Sequence, residues 1–439
     1  MIEKVKKLSS KRIKTFFHST AFSPYHLLKG ENMKSSLLIL AIAGCLALTL
    51  TFLDLNVSEK AHAQSLSNDL VVHEWGTFTS IAGKKGVAID WRPLSGASDL
   101  PKFVYTSADK KGWRGSYNDP GKGRVAKVRM ETPVIYFYTA REMEVDVKVA
   151  FPNGTITEWY PQAGWANARF ESGINWGKIK LLPNETPNYL REVADSHYYP
   201  ARETDSVPIQ VCNADKTKIE KEKFLFYRGV GDFELPLKVR LNGGKVVLNT
   251  IEEKYSSKGN PGRNITNLII FENRGGRIGY NFVPTLSGET IVERPALNKN
   301  LTQVFDELEK ALVTQGLYEK EAKAMIETWK DSWFEEGLRV FYLLPRRTTD
   351  EILPLTVKPQ PQETVRVLVG RTEVITPEME QDVRKQVGLL RSTSKEVRKE
   401  AQSNLKRYGR FYEPILKNIL ESERDAKVRA QIQKLIEPS

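Results

Sequence analysis

Alternating apolar and polar residues mark most of the chain between residues 64 and 283. Met143, Val145 and Val147 alternate with charged residues, which predicts a strand with one buried face. Residues 134–138 are apolar on both faces, and the short segment that follows them predicts a hairpin. Further strand patterns, divided by Gly, Pro and Asn, cover residues 71–80, 155–160, 178–182, 207–212, 224–227, 233–241, 246–251, 267–271 and 278–282. Many short strands of this kind predict a mainly β fold, an antiparallel β-sandwich-like domain.

The apolar spacing changes to that of a helix near residue 298. Leu308 and Leu312 share one face of a first predicted helix, and Trp329 and Trp333 share one face of a second. Two helices joined by a short turn predict a helical hairpin over about residues 298–337, which can cover the sheets.

Strand patterns return after the hairpin, at residues 338–344 and 365–369. A Pro-rich connection separates these two strands. We therefore expect residues 64–373 to form one β-rich domain with the hairpin inserted between its strands.

Residues 376–439 have a helical pattern throughout. Thr393-Ser394-Lys395-Glu396 has the sequence of a capping box at the start of a helix. The pair Val397-Arg398 recurs as Val428-Arg429, 31 residues later. The tail therefore resembles a HEAT-like repeat of about one and a half units. Because so short a stack lacks neighbouring repeats, we expect it to dock on the β domain, on another copy of the chain or on a partner.

Residues 1–63 have the pattern of a leader. An apolar run follows Lys34, and Ala61-His62-Ala63 follows the run, which is the order found in secretory signal peptides. We expect cleavage after Ala63 and take Met33 as the true start. Two alternatives stay open, retention of the run as a membrane anchor and lipidation of Cys45. The expected location is periplasmic or secreted, and membrane-anchored if the leader is retained.

Removal of the leader changes the charge and the cysteine content. Residues 1–63 contain nine basic and four acidic residues, so the net charge falls from +12 to +7. No dense basic run interleaved with aromatic residues remains, which argues against nucleic acid as a partner. Cys212 becomes the only cysteine, so no intrachain disulfide is expected. We predict that its thiol is buried as a small apolar group.

Four motifs support a family resemblance over residues 70–373. They are His73-Glu74-Trp75-Gly76-Thr77-Phe78-Thr79, Met130-Glu131-Thr132-Pro133-Val134, Phe226-Tyr227-Arg228-Gly229 and Ser332-Trp333-Phe334-Glu335-Glu336-Gly337. On these motifs the chain resembles an uncharacterised family of exported bacterial proteins. The resemblance implies that the protein is exported, but it does not indicate an activity.

The pair His73-Glu74 raises the question of a metal site. A zinc-protease helix requires His-Glu-x-x-His, whereas Gly76-Thr77 follows here on a predicted strand. Only His73 and His197 remain beyond the leader. Residues 195–205 offer oxygen ligands for calcium but lack EF-hand spacing. The sequence therefore predicts no metal and no cofactor.

Five carboxylates stand beside aromatic or apolar strand residues: Glu74, Glu131, Glu158, Glu335 and Glu336. Glycosidases use two carboxylates about 5–10 Å apart, one of them with a pKa raised by an apolar wall. Glu74 paired with Glu158, or with one of Glu335 and Glu336, would make the protein a hydrolase of envelope or extracellular polysaccharide. Structural packing of the neighbouring aromatic residues is the competing interpretation.

The two-residue period of the first strand gives Glu74 a second interpretation. Glu74 shares a face with Val72 and Phe78, so it is buried if that face meets the core. A buried carboxylate needs a partner. We expect an arginine to hold it, with Arg228 as the first candidate and Arg202 as the second.

The favoured function is a non-catalytic binding or scaffold module of the cell envelope, with a protein or a glycan as its ligand. The loop of residues 84–124 and the helical tail are expected to assist. The hydrolase is the alternative, and carboxylates locked to arginines would favour the binding module over it. The candidate ligand-binding residues are His73, Trp75, Trp159, Tyr160, Arg202, Tyr227 and Arg228.

Overall fold

Strands are the most abundant element in the computed structural model, with 40% of the described residues in strands and 28% in helices. The structure describes residues 69–95, 99–107, 124–167, 170–212, 218–251, 265–286 and 288–436. The leader, Cys45 and a large part of the predicted 84–124 loop lie outside the described residues. The fold is mainly β with several antiparallel sheets, as the sequence predicts.

The strands are β1 (Val71–Ala82), β2 (Tyr105–Thr106), β3 (Val128–Tyr138), β4 (Met143–Ala150), β5 (Gly154–Tyr160), β6 (Gly164–Asn167), β7 (Phe170–Leu181), β8 (Ile209–Cys212), β9 (Ile219–Glu222), β10 (Leu225–Gly231), β11 (Leu237–Asn242), β12 (Lys245–Thr250), β13 (Ile265–Arg274), β14 (Arg277–Leu286), β15 (Glu289–Glu293), β16 (Gly337–Leu343), β17 (Leu355–Lys358) and β18 (Glu363–Val374). The α-helices are α1 (Leu301–Thr314), α2 (Glu319–Trp333), α3 (Arg346–Ile352), α4 (Pro377–Leu389), α5 (Lys395–Lys406), α6 (Tyr412–Ser422) and α7 (Ala426–Ile436). Two short 3-10 helices cover Tyr199–Arg202 and Gly409–Phe411.

Nine strands form the largest sheet, in the order β14-β13-β16-β18-β1-β3-β10-β5-β2. A six-stranded sheet runs β17-β4-β7-β8-β9, with β6 also paired to β7, and a three-stranded sheet runs β11-β12-β15. Among the described strands, the pair β1 and β18 is parallel and the other pairs are antiparallel. The first and last strands of the β region therefore lie side by side at the centre of the large sheet.

One apolar core joins the three sheets. Val72 and Phe137 of the large sheet are buried in it together with Val147 of the six-stranded sheet and Val239 of the three-stranded sheet. This core buries one face of the large sheet.

A second apolar core covers the opposite face of the large sheet. Trp75 and Val134 from the sheet pack there with Leu308 of α1 and Trp329 of α2. The helical hairpin predicted from the sequence is α1 and α2, and it buries its apolar stripe on this face. Both faces of the central strands are therefore buried.

The predicted hairpin between residues 134–138 and the following strand is wrong. β3 lies between β1 and β10 in the nine-stranded sheet, whereas β4 belongs to the six-stranded sheet. Ile135 packs in the first core and Val134 in the second, so β3 is a central strand. The short connection turns a corner between two sheets. A connection of this length fits either geometry, and the burial of both faces of β3 decides between them.

The C-terminal helices pack on the β region of the same chain, which was one of the three docking alternatives. Val383, Ile415 and Ile432 form a third apolar core with Ile81 of β1 and with Trp91. Residues 66–439 accordingly form one compact unit. None of the described helices has both the length and the apolar character needed to cross a lipid bilayer.

Three local predictions need correction. Ser394 rather than Thr393 is the N-cap of α5, and its hydroxyl accepts a hydrogen bond from the Val397 amide at 3.3 Å. The Pro-rich connection contains a helix, α3, and a short strand, β17. Cys212 is exposed at the end of β8 instead of buried.

Candidate functional site

Strand β1 presents different chemistry on its two faces, as its two-residue period predicts. Val72 and Phe78 are buried in the core between the sheets, and Glu74 lies on their face. His73, Trp75 and Thr77 lie on the face toward the helices and are also buried. Both titratable groups of the opening motif are therefore inside the protein.

Glu74 is fully buried and is held by an arginine, as expected, but the arginine is Arg366 of β18. Nε of Arg366 donates to Oε2 of Glu74 at 2.5 Å, and the hydroxyl of Tyr227 donates to Oε1. Arg366 also donates to Asp350 at 2.7 Å. Burial, together with the negative charge of Glu74, raises the pKa of Tyr227 well above its ordinary value. Both oxygens of Glu74 are thus occupied.

Arg228, the first candidate partner of Glu74, faces the other way. It lies on the face of β10 that carries Phe226, and its guanidinium donates two hydrogen bonds to Asp99, at 2.7 and 2.9 Å. The prediction failed because both faces of the large sheet are buried, so a side chain that points inward can enter either core. The pKa of Asp99 lies below its ordinary value, since burial raises it but Arg228 lowers it more.

Arg202, the second candidate, pairs with Glu222. Nη2 donates to Oε2 of Glu222 at 2.6 Å and Nε donates to Oε1 at 2.9 Å. The Arg202 guanidinium also lies over the rings of Tyr198 and Tyr199, at 5.4 and 5.2 Å. Burial raises the pKa of Glu222 above its ordinary value, although Arg202 opposes this shift.

His73 contacts the first turn of α2. Its Nδ1 lies 2.7 Å from Oε2 of Glu321, and the Tyr138 hydroxyl donates to Oε1 of Glu321 at 2.9 Å. The backbone amide of Tyr318 donates to the same carboxylate at 2.8 Å. Glu321 therefore caps the helix and ties it to β1 and β3.

The predicted aromatic binding residues do not form an open face. Trp75, Trp159, Tyr160 and Tyr227 are each at most 3% exposed. Trp159 and Tyr227 pack between the sheets, whereas Trp75 and Tyr160 pack in the core under the helices. In this structure these rings contribute to the cores and do not line a surface for sugar stacking.

The four candidate catalytic carboxylates lie in three places. Glu74 is between the sheets, and Glu158 lies on β5, opposite Arg228 of β10. Glu335 and Glu336 line a cleft of about 820 Å³ between the large sheet and the C-terminal helices. The structure brings together only the two carboxylates that are already adjacent in the sequence.

A group of mostly buried charges lies beside this cleft, and three of its members, Arg129, Glu335 and Arg410, line it. Most of its members project from the helix-covered face of β3, β16 and β18, between the area covered by the hairpin and the area covered by the tail. We call this group the charged layer; it consists of Arg129, Glu131, Glu335, Arg339, Arg371, Glu373 and Arg410.

Glu373 lies at the centre of the charged layer. Nε of Arg339 donates to its Oε2 at 3.0 Å, and Nε of Arg371 donates to its Oε1 at 2.6 Å. Arg371 also donates to Glu335 at 3.1 Å, and Arg410 of the tail contacts Glu335. The layer therefore connects the β region to the tail through charge.

Glu131 lies at the opposite side of the charged layer. Its Oε2 accepts a hydrogen bond from the Thr79 hydroxyl at 2.7 Å, and Arg129 lies 3.5 Å from its Oε1. Burial raises the pKa of Glu131, but Arg129, Arg371 and Arg410 together bring it below its ordinary value. Glu131 is therefore a buried carboxylate stabilised in its charged form.

Two arginines of the layer have lowered pKa values. Burial lowers the pKa of Arg339 to about 10, even though Glu373 opposes the shift. Burial also lowers the pKa of Arg410, and the charge of Arg129 adds to this effect. In both arginines burial is the largest cause of the shift, because it disfavours the charged guanidinium.

The motifs of the sequence meet near this layer. Pairing irregularities fall between Trp75 and Thr77 where β1 pairs with β3, and between Phe226 and Gly229 where β10 pairs with β3. In the fourth motif, the carbonyl of Ser332 accepts a hydrogen bond from Arg371 at 2.6 Å. Because β-bulges redirect side chains and are common beside functional sites, the layer is our candidate site.

No protein-family model matches this chain, and no curated protein does. The resemblance to an exported bacterial family remains a prediction, and the site has to be interpreted from its own chemistry.

Every buried carboxylate of the described residues has a basic partner. Six of them lie within 3.5 Å of an arginine or lysine nitrogen, and the seventh lies 2.7 Å from a histidine nitrogen. The seven are Glu74, Glu131, Glu220, Glu222, Glu272, Glu321 and Glu373. None is held as an unpaired buried acid.

The two histidines beyond the leader lie apart from each other. His73 contacts Glu321, whereas Nδ1 of His197 lies 2.6 Å from the carbonyl of Thr328 and its ring stacks on Trp329. Within the described ranges, no group of three His, Cys, Asp or Glu residues is arranged to hold a metal ion.

The sequence contained a signal for the charged layer that apolar periodicity did not reveal. Arg129-Met130-Glu131 and Arg371-Thr372-Glu373 each place an arginine and a glutamate two residues apart on a strand. That spacing puts both charges on one face of the sheet. Two such triplets on central strands indicate a buried ionic group.

Proposed function

We propose that the protein is an exported, non-catalytic binding or scaffold protein of the cell envelope, whose ligand occupies the cleft above the charged layer. The observation that carries this proposal is the pairing of every buried carboxylate of the described residues with a basic group. A glycosidase needs an acid with a raised pKa that faces a second carboxylate across the substrate. Glu222 has a raised pKa, but it is fully buried and both its oxygens accept hydrogen bonds from Arg202.

The composition of the cleft favours a charged partner over a neutral glycan. Its lining contains Arg129, Arg274, Arg407, Glu336 and Asp382, and the aromatic residues among the predicted ligand-binding residues are buried elsewhere. An envelope protein or an acidic glycan fits this lining. We do not propose nucleic acid as a partner, and we propose contact with the membrane only if the leader is retained.

The proposal includes a β-sandwich-like domain and a HEAT-like tail. The common core of the three sheets supports the first. For the second, the repeated Val-Arg pairs have equivalent contacts. Arg398 donates to the carbonyls of Ser392 and Thr393 after α4, and Arg429 donates to those of Leu420 and Glu423 at the end of α6. Helical repeats of this type are common binding scaffolds.

Co-sedimentation with an insoluble cell-wall preparation tests the proposal. We expect residues 64–439 to sediment with the wall material without releasing reducing ends. Ser95→Trp places a bulky ring at an exposed position of the cleft and should reduce the bound fraction, whereas Ser403→Trp, exposed on α5 outside the cleft lining, should not. Release of reducing ends that Glu335→Gln abolishes would establish the hydrolase instead. Equal binding by both tryptophan variants would place the ligand outside the cleft.

A further inference from the structure

The charged layer has an unbalanced composition. It contains four arginines and three glutamates, so its formal net charge is +1. Among the other charges that line the cleft, Arg294 contacts Glu272 at 2.6 Å and Glu378 at 2.8 Å, and Asp382 accepts a hydrogen bond from the Tyr408 hydroxyl. Of the four arginines in the charged layer, Arg129 and Arg410 line the cleft.

Arg410 is the least satisfied member of the layer. Its Nε is buried and has no hydrogen-bond acceptor among the described residues. A buried guanidinium donor without an acceptor is costly, because its hydration is lost and nothing replaces it. Arg410 lies on the short 3-10 helix Gly409–Phe411 of the tail, and this helix lines the cleft.

Arg129 is the second arginine whose guanidinium can donate hydrogen bonds to a ligand. Its contact in the layer is the 3.5 Å approach to Glu131, which is longer than a good charged hydrogen bond. By contrast, Arg371 donates to Glu373, to Ser332 and to Glu335. Arg129 and Arg410 both line the cleft, so a ligand that enters it meets these two guanidiniums.

We infer that the charged layer binds one carboxylate group of the ligand, held between Arg410 and Arg129. This inference rests on the proposed function, since it specifies the chemistry that the cleft recognises. Arginine matches the planar carboxylate with parallel N–H donors. A single carboxylate brings the layer to neutrality, whereas a doubly charged phosphate would leave an excess negative charge in a half-buried site. A peptide C-terminus and a uronic acid are two sources of the same group.

Acetate is the simplest probe of this site. Sodium acetate replaces sodium chloride at constant ionic strength and pH 7, and the thermal unfolding midpoint of residues 64–439 is followed. Because a ligand that binds the native state stabilises it, we expect a rise that saturates with acetate concentration. Arg410→Gln should abolish the rise, and Arg240→Gln, which changes an arginine paired with Glu289 outside the cleft lining, should leave it unchanged.

Two further variants keep the test decisive if Arg410→Gln does not fold. Arg410→Lys keeps the charge but loses the Nε donor, and Arg129→Gln removes the second guanidinium. Each should raise the half-saturating acetate concentration at least about tenfold, which corresponds to about 1.4 kcal/mol. No saturable rise in the unaltered protein, or equal half-saturation in all variants, would overturn the inference. Phosphate binding as tight as acetate binding would overturn the assignment to a carboxylate.

Larger probes identify the source of the carboxylate. Trialanine with a free C-terminus is compared with its C-terminal amide, and both are compared with a trimer of galacturonic acid. Tighter binding of trialanine than of acetate, lost in the amide, supports a peptide C-terminus, and tighter binding of the trimer supports an acidic glycan. If acetate alone binds, the site holds an adventitious ion only and the inference fails.

The inference and the proposed function can fail separately. Wall binding that persists unchanged in Arg410→Gln supports the binding protein and removes the carboxylate site. Saturable acetate binding, together with tighter binding of trialanine or of the trimer but without any wall binding, supports the carboxylate site and removes the proposed envelope ligand.

Discussion

Glu74 and Arg366 lie directly opposite each other on the parallel strands β1 and β18, and the Nε of Arg366 donates to the Glu74 carboxylate at 2.5 Å. The two residues are 292 positions apart in the chain. This ion pair therefore joins the first strand of the β region to its last strand inside a buried core.

Glu74→Gln should destabilise the protein strongly. The substitution keeps the shape of the side chain but leaves the buried Arg366 without its closest negative partner. Breaking a buried ion pair on one side costs about 3–5 kcal/mol. The free energy of unfolding of residues 64–439, from urea titrations of both proteins, measures the effect.

Glu144→Gln is the matched control for this substitution. Glu144 is exposed on β4 and its contact with Lys178 is 3.9 Å long, so its loss should change the free energy of unfolding by less than about 1 kcal/mol. If Glu74→Gln were as mild as Glu144→Gln, the ion pair would not stabilise the fold.

Asp99→Asn should have an effect that depends on pH. The pKa of Asp99 is lower in the folded protein than its ordinary value of about 3.9, because Arg228 outweighs the effect of burial. Its contribution to stability is therefore complete above the unfolded-state pKa and is lost as the pH falls toward the folded-state pKa. At pH 6 the loss in Asp99→Asn should be about 1.5–3 kcal/mol, as for hydrogen bonds to charged groups.

Urea titrations at pH 6 and pH 3 test this sign. The difference between Asp99→Asn and the unaltered protein should be smaller at pH 3, whereas Asp306→Asn, on the exposed side of α1, should have little effect at either pH. A difference that grows as the pH falls would contradict the assigned ion pair.

Gly76→Ala should destabilise the protein because the backbone of β3 is too close. A Cβ atom at Gly76 would lie 2.9 Å from the Cα atom of Pro133 and 3.0 Å from a methyl group of Leu368. Overpacking of this kind costs about 1–3 kcal/mol. Gly388→Ala offers a control of opposite sign, since Gly388 is in α4 with open space around it and should gain about 0.5–1 kcal/mol. The thermal unfolding midpoints of both variants test this prediction. Equal shifts of the two midpoints would contradict the close approach of the β3 backbone to Gly76.

Local pattern predicted the elements of this fold better than their partners. Alternation identified β4 correctly through Val145 and Val147, and helical spacing identified α2 through Trp329 and Trp333. Neither pattern contains information about which strands pair over long distances, so the parallel contact of β1 with β18 was not predicted. Such pairing depends on the burial of both sheet faces, which only the assembled protein defines.

The same limit explains the outcome for the site. Burial of Glu74 with an arginine followed from desolvation, but the choice between Arg228 and Arg366 depended on which core each side chain enters. Arg410 joins the charged layer because the tail docks on the β region. The sequence around Gly409 contains no pattern that predicts the contact of Arg410 with Glu335. That a buried carboxylate would pair with an arginine could be predicted from the sequence. Which arginine it pairs with depends on the strand order, which the sequence pattern does not reveal.

Cys212 provides a prediction in which sequence and structure disagree. As the only cysteine after residue 63 it is predicted from the sequence to be buried, whereas the structure exposes it at the end of β8. An exposed thiol reacts in the native state, and a buried one reacts only after unfolding. We expect a water-soluble maleimide to label residues 64–439 at one thiol per chain without denaturant, with Cys212→Ser as the unlabelled control.

The labelling rate in native and urea-unfolded protein separates the two interpretations. If Cys212 is exposed, unfolding adds little to its accessibility, and the two rates should be similar at the same pH. If the thiol is buried, the native rate is limited by opening of the structure and is far slower. Labelling confined to the unfolded protein would mean that the end of β8 is covered in solution.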